Sequence, residues 1–248
     1  MVGEAFFLVD RLPAAGSFRL TGPEGRHAAT VRRVRPGETV LLTDGLGRNA
    51  VATVVGTGKS EVELDVAAAT TVPAPAVRVT LVQALPKGER GELAVELATE
   101  AGIDAIVPWS ARRCVTRWSP ERAPKGLARW TATAREAAKQ SRRSWVPPVR
   151  PVASTREVAG LLAAADAALV LHESATDPLT AVPLPAAGEV VLVVGPEGGV
   201  DDDELAAFTA AGARAVRLGP QVLRTSTAGA VALGALGVLT DRWTQVDA

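Results

Sequence analysis

The sequence predicts an α/β protein of two domains, a small β-barrel followed by a larger domain built on a mostly parallel sheet. Three observations carry this. The first seventy residues hold short strand-like runs divided by glycine turns. Beyond residue 77, continuous apolar runs alternate with helical patterns, as buried parallel strands and their crossover helices do. Between them TTVPAPA (70–76) has two prolines and little apolar content, which suits a linker, so the expected domains are 1–72 and 77–248. With 248 residues and 47% hydrophobic content, the chain can fill a core in each.

In the first domain the predicted strands are FFLV (6–9), ETVLLTDG (38–45), NAVATVV (49–55) and EVELDV (61–66), broken at Pro36-Gly37, Gly45 to Gly47 and Gly56 to Gly58. A tetrapeptide GPEG, Gly22 to Gly25, is read with no strand before it and is followed by a helix-like insert, RHAATVRRV (26–34). The insert brings Arg32, Arg33 and Arg35 near His27. A cationic helix end on a barrel is a candidate RNA contact, whereas His27 alone reads as a packed or capping residue.

In the second domain RVTLVQAL (78–85) is strand-like, and GELAVELATEAG (91–102) places Leu93, Leu97 and Ala101 at helical spacing before stopping at Gly102. There follow IDAIVPW (103–109), a long helix over 126–143, AALVLHE (167–173), EVVLVVG (189–195), the helix DDDELAAFTAAG (201–212), the strand RAVRL (214–218) and the helix TSTAGAVALGALGVL (225–239).

Composition excludes several classes. The N-terminal run MVGEAFFLVDRLP has no basic stretch, and no segment reaches the ~18 residues of a membrane span uninterrupted by charge, so a cytoplasmic protein without a membrane partner is expected. Cys114 is the single cysteine, which excludes an intrachain disulfide, makes a thiolate metal site improbable and suits a packing role; no metal is expected. Net charge is zero, but its distribution is uneven: Arg112 to Arg150 holds eleven Lys or Arg against two acids, and His172 to Ala213 holds eight acids and no Lys or Arg. Such asymmetry orients a nucleic acid onto one face.

A second GPEG lies in LVVGPEGGV (192–200), here directly after an apolar strand. Ligands in open α/β sheets collect beyond the carboxyl ends of the strands. Three such ends carry unusual turns: Leu171-His172-Glu173, Gly195 to Gly199, and Leu218 to Thr227. A phosphate cradle wants free N–H groups and a lysine, or the dinucleotide spacing of three glycines. Here Pro196 lacks a donor and Glu197 puts negative charge where a pyrophosphate would sit. A ligand with a flat base, ribose hydroxyls and a positive centre fits better, and S-adenosylmethionine (SAM) is such a ligand.

These stretches, together with LVQALPKGERGELAVELATEAG, ARRCVTRW, AAKQSRRSWVPPV and LGPQVLRTSTAGAVALGAL, resemble the SPOUT methyltransferases, nearest the RsmE-like family that methylates uridine N3 in 16S ribosomal RNA. The resemblance spans nearly the whole chain. It implies a SPOUT-type domain with a deep trefoil knot, a PUA-like N-terminal domain, a homodimer and SAM as cofactor. By matching motif the cofactor would be held by Leu171 and His172, by Gly195, Pro196, Glu197, Gly198 and Gly199, and by Leu218, Gly219, Leu223, Arg224 and Thr225. Arg224 is the candidate for stabilising charge on the uracil. The rRNA backbone would be met by Arg26, Arg32, Arg33, Lys87, Arg90, Arg112, Arg135, Lys139, Arg142 and Arg143, with Arg135, Lys139 and Arg142 on one helix face and Trp145 available to stack on a base. Ser226 and Lys139 stand where many family members carry Glu. An RNA-binding assembly factor of the same fold, without chemistry, is the second reading.

Overall fold

The computed structural model describes residues 5–244, so the outermost parts of both expected domains, 1–4 and 245–248, lie outside the described residues. The chain forms two compact units, one of 1–74 with 138–146 and one of 75–137 with 147–248.

The first unit is a six-stranded sheet of β1 (Ala5–Leu8), β2 (Gly16–Leu20), β3 (Thr39–Thr43), β4 (Arg48–Thr57), β5 (Val62–Val66) and β6 (Thr70–Thr71), in the order β1-β3-β4-β5-β2 with β6 on β4. Burial alternates along β5 and much of β4, so Ala52, Val54, Val62 and Leu64 face one core with Phe7, Val40 and Leu42. Two expectations are corrected here. The first GPEG does follow a strand, β2, whose sequence GSFRL carries Ser17 and Arg19 at its outward positions and begins with Gly16 on the inward side, so it lacks an apolar signature. And Thr70-Thr71 of the expected linker pairs with Arg48-Asn49 of β4.

GPEGR itself is a short helix, α1 (Gly22–Arg26), with Pro23 in its first turn where a missing N–H costs nothing. It continues into a π-helical turn over His27–Arg32 that ends at Arg33, whose φ is +52°. His27 packs edge-on against Phe7, ring centroids 6.2 Å apart, which is the packed role expected of it.

The segment 138–146 belongs with this sheet. Val146 N–H donates to Gly45 O and Gly47 N–H to Ser144 O, both at 2.9 Å, and Asn49 Nδ2 donates to Ser144 Oγ at 2.7 Å. The Trp145 ring lies on Gly47 so closely that a Cβ there would stand 2.2 Å from it, and its indole N–H donates to Val72 O. Trp145 is therefore packed within the unit, and its N–H is already committed.

The second unit is a five-stranded, wholly parallel sheet of β7 (Val77–Ala84), β8 (Ala105–Trp109), β9 (Ala167–Leu171), β10 (Gly188–Val194) and β11 (Arg214–Val216), ordered β11-β9-β10-β7-β8. The middle strands are buried along almost their whole length, as the continuous apolar runs require. Helices α2 (Arg90–Glu100) and α6 (Thr225–Leu239) pack on one another, as do α4 (Thr155–Ala163) and α5 (Asp202–Ala210). The buried side of α2 is Gly91, Ala94, Val95, Ala98 and Thr99, not the expected line of Leu93, Leu97 and Ala101. Small residues let two helices approach closely, and a pattern counted from large side chains alone misses them. Helix α3 runs over Ala123–Gln140, so the expected 126–143 helix starts earlier and stops sooner. Trp130 and Ala134 are buried on it, while Leu127 is only half-buried. Among the described residues no helix is long and apolar enough to cross a membrane.

Candidate functional site

Strands β11, β9 and β10 are neighbours and all parallel, so their carboxyl ends lie side by side at strand spacing, and the three turns read from sequence converge. Together they enclose a cavity of ≈ 340 Å³. Its wall takes Leu171 to Glu173 from the first loop, Gly195 to Glu197 with Gly199 and Val200 from the second, and Arg217 to Leu223 with Thr225 from the third. Two of the residues read as cofactor-binding do not line it. Gly198 faces Arg113 instead, and Arg224, between Leu223 and Thr225, has its side chain exposed.

Each loop is fixed by a different device. In the first, His172 N–H donates to Val216 O at 3.0 Å, and Ser174 N–H donates to His172 Nδ1 at 3.2 Å, which leaves the ring proton on Nε2. The second closes as a turn, Gly199 N–H donating to Pro196 O at 2.9 Å, with Gly199 at φ +74° where an L side chain is strained. Gly195 faces Val200 so closely that a Cβ would lie 2.9 Å from Val200 Cγ2. The third loop ends at α6, whose first residue Thr225 donates its hydroxyl to Gly195 O at 2.7 Å and accepts from Gln83 Nε2 at 2.9 Å. Gln83, Thr225 and Gly195 thus form a buried chain from β7 through α6 to the second loop. Thr225→Val keeps the shape and removes both bonds, so the protein should lose about 1–3 kcal/mol of stability and bind its ligand more weakly. Thermal denaturation checks this against Thr225→Ser, which should retain both properties; an unchanged midpoint for the valine variant overturns it.

The cationic residues read as RNA contacts fall into different settings. Arg112 donates to Asp201 Oδ1 at 2.7 Å and Asp203 Oδ2 at 2.6 Å, and its backbone N–H donates to Glu204 Oε1 at 2.9 Å. The hydrogen bond to Asp203, then the charge of Asp201, raise its pKa above the usual arginine value. Lys139 lies almost buried against Glu24, Nζ to Oε1 at 3.0 Å. Arg142 sits beyond the end of α3 at φ +55°, so the expected face of Arg135, Lys139 and Arg142 is interrupted at Gln140. Arg143 is half-buried in the segment that joins the first sheet. Arg26, the last residue of α1, and Arg32, in the π-helical turn, are exposed, and Arg33 donates Nε–H to Thr30 O.

Lys87 and Arg90 line a second, more open cavity of ≈ 660 Å³ with exposed Leu93 and Val115. Glu197 belongs to both cavities: its Oε1 accepts the Lys87 backbone N–H at 3.1 Å and stands 3.7 Å from Arg90 Nη1. That shared wall has no signal in the sequence, because it joins the β7–α2 turn to a loop 110 residues further on. Cys114 is buried and burial pushes its thiol up, consistent with packing rather than a nucleophile's role.

Comparison with known proteins agrees with this architecture. Residues 73–237 match the RNA methyltransferase domain family, and residues 20–67 match the RNA methyltransferase PUA domain. The chain is 55% identical to ribosomal RNA small subunit methyltransferase E of Mycobacterium bovis over 96% of its length and 92% of that protein's. A crystal structure of ribosomal RNA small subunit methyltransferase E from Neisseria gonorrhoeae bound to S-adenosyl methionine superposes with a TM-score of 0.85 at 31% identity, covering 96% of this chain and 98% of that one. A methyltransferase from Legionella pneumophila in complex with SAM superposes with a TM-score of 0.82 at 27% identity, over 96% and 97%. The five-stranded parallel sheet with its three converging loops, the PUA-like unit and these relatives place the chain in the RNA methyltransferase family, within the SPOUT-fold group of ribosomal RNA small subunit methyltransferase E.

Proposed function

We propose that the protein transfers a methyl group from SAM to N3 of a uridine in 16S rRNA of the small ribosomal subunit. The observation that carries this is the composition of the first cavity. Two carboxylates, Glu173 and Glu197, and the apolar Leu171, Leu218 and Leu223 surround glycine backbone, Arg217 lines the wall as well, and among the described residues no lysine does. That donor set, with two carboxylates against one guanidinium, suits ribose hydroxyls, a flat base and a sulfonium cation better than the phosphates of a nucleotide. Leu171, His172, Gly195, Pro196, Glu197, Gly199, Leu218, Gly219, Leu223 and Thr225 would hold the cofactor. SAM supplies an electrophilic methyl on sulfur.

The residues of the chain then have to hold uracil N3 in line with that methyl, about 3 Å away, and to stabilise the anion left when the N3 proton passes to solvent water, the demethylated thioether being the leaving group. The second cavity supports an approach of RNA from the Lys87–Arg90 side, since it offers cationic groups and apolar surface and meets the first at Glu197. Arg224, exposed at the start of α6, is assigned the charge on the uracil oxygens. Arg26, Arg32 and Arg33 are assigned to flanking phosphates. Val231, Val238, Leu239 and Trp243 leave an apolar strip exposed along α6 and after it, which supports a homodimer. The deep trefoil knot and a cytoplasmic location are part of the same reading.

Calorimetric titration with SAM is the direct test, and absence of binding up to millimolar ligand overturns the enzyme reading in favour of a non-catalytic RNA binder. Nucleoside mass spectrometry of 16S rRNA from a deletion strain tests the target: loss of 3-methyluridine is expected, and its persistence refutes the assignment.

A further inference from the structure

Arg113 belongs to the cationic block that charge counting directs at RNA, yet its side chain, although exposed, bonds to the second glycine loop. Its Nη1 donates to Gly198 O at 3.3 Å and to Val200 O at 3.4 Å, and its Nε stands 3.4 Å from Asp201 Oδ2. The loop is shaped around it: a Cβ on Gly198 would meet Arg113 Cβ at 3.3 Å, and a Cβ on Gly199 would lie 3.9 Å from Arg113 Nη1 and 3.3 Å from Glu173 Oε1. Gly199 is therefore flanked by a cation on one side and by a carboxylate of the first loop on the other.

We propose that Arg113 is a positioning residue for the cofactor, holding the second loop in the shape that SAM requires. The physical case is the loop's own weakness. Two successive glycines lose more backbone freedom on ordering than any other pair. The turn hydrogen bond from Gly199 N–H to Pro196 O fixes only its near half. The carbonyls of Gly198 and Val200 are the remaining handles, and one rigid guanidinium ties both to a single framework, its Nη1 donating to the two carbonyls while its Nε faces Asp201. Asp201 is itself held, since it caps α5 through Asp203 N–H and accepts from Arg112. A lysine presents a single ammonium and has no planar fork with which to grip two carbonyls and a carboxylate together.

This inference rests on the methyltransferase reading, so the experiment separates the two. SAM affinity by calorimetry, KM and kcat with small ribosomal subunits, thermal midpoint, and the salt dependence of rRNA binding are measured for wild type, Arg113→Gln and Arg113→Lys. The expected result is SAM affinity weakened about tenfold or more in the Gln variant and by less in the Lys variant. KM for the subunit and the slope of log K against log salt should stay as in wild type, because no phosphate contact is lost. A slope reduced by about 0.9 with SAM affinity unchanged makes Arg113 a phosphate ligand and overturns the proposal. SAM affinity within twofold of wild type in both variants also overturns it. If the Gln variant fails to fold, the Lys variant alone decides, on the same readouts. Wild-type protein that does not bind SAM would instead sink the methyltransferase reading.

Discussion

Gly25→Ala should cost the first unit about 3 kcal/mol or more, enough to unfold much of it at physiological temperature. A Cβ at Gly25 would lie 2.4 Å from Leu20 O, 2.9 Å from Leu20 C and 2.9 Å from Ser60 O. All three are main-chain atoms of strand β2 and of the turn before β5, so no rotamer change relieves the overlap; the backbone itself has to move. Gly22 provides the control. It sits in the same GPEG at φ +67° with open space around it, so alanine there meets only the left-handed penalty of about 1–2 kcal/mol. Urea denaturation followed by circular dichroism, with hydrogen exchange of peptides from 5–72, should show Gly25→Ala far below Gly22→Ala. Equal midpoints would overturn this. The two copies of GPEG thus have unrelated duties. In the first, glycine lets a helix press on a strand. In the second, glycine lets a loop turn beside a ligand.

Arg224→Ala should lower kcat about 100-fold and leave SAM affinity within about twofold of wild type. Its backbone carbonyl accepts from Thr227 N–H at 2.9 Å and Ala228 N–H at 3.0 Å, so the main chain at the start of α6 stays in place when the side chain is removed. The guanidinium is exposed between two residues that line the cofactor cavity and does not itself line it. A group so placed is suited to meeting the acceptor rather than the cofactor. Loss of the N3 proton spreads charge onto both uracil oxygens, and a fork of N–H donors is worth most where that charge develops. Arg224→Lys should recover part of kcat, since charge is kept and the fork lost. Single-turnover rates with saturating SAM check the assignment. A rise in KM for the subunit at constant kcat would make Arg224 a phosphate contact, and a rise in the SAM dissociation constant would make it a brace for the third loop.

The α/β half of the molecule was legible because strands buried on both faces carry long apolar runs: β9 is AALVL, β10 holds VVLVV, and β7, VRVTLVQA, is apolar apart from Arg78, Thr80 and Gln83. Two of the three ligand loops were legible for the related reason that they follow β9 and β10, while the third follows the short, partly exposed β11, RAV, and was marked by its own Gly219 and Pro220. What was not legible lies in partners far apart along the chain. Arg112 and Arg113 count as free charge until Asp201 and Asp203 are brought to them, about ninety residues later. The helix face expected at Arg135, Lys139 and Arg142 assumed a helix that went on, and α3 stops at Gln140. Strand β2 was hidden because only its last residue, Leu20, is buried.

The return of 138–146 to the first sheet has a consequence in time. The unit that begins at the N-terminus is not complete until the chain has been made as far as Val146, 72 residues beyond Ala74. At about 5–20 residues per second, synthesis leaves an interval of about 4–14 s in which Gly45, Gly47 and Asn49 wait for Ser144 and Val146. During that interval the strand end at Gly47 is an open edge, and Val72 O lacks the indole that later donates to it. The nascent six-stranded sheet thus stands one hydrogen-bonded segment short, held ready until the ribosome has gone on to make 138–146.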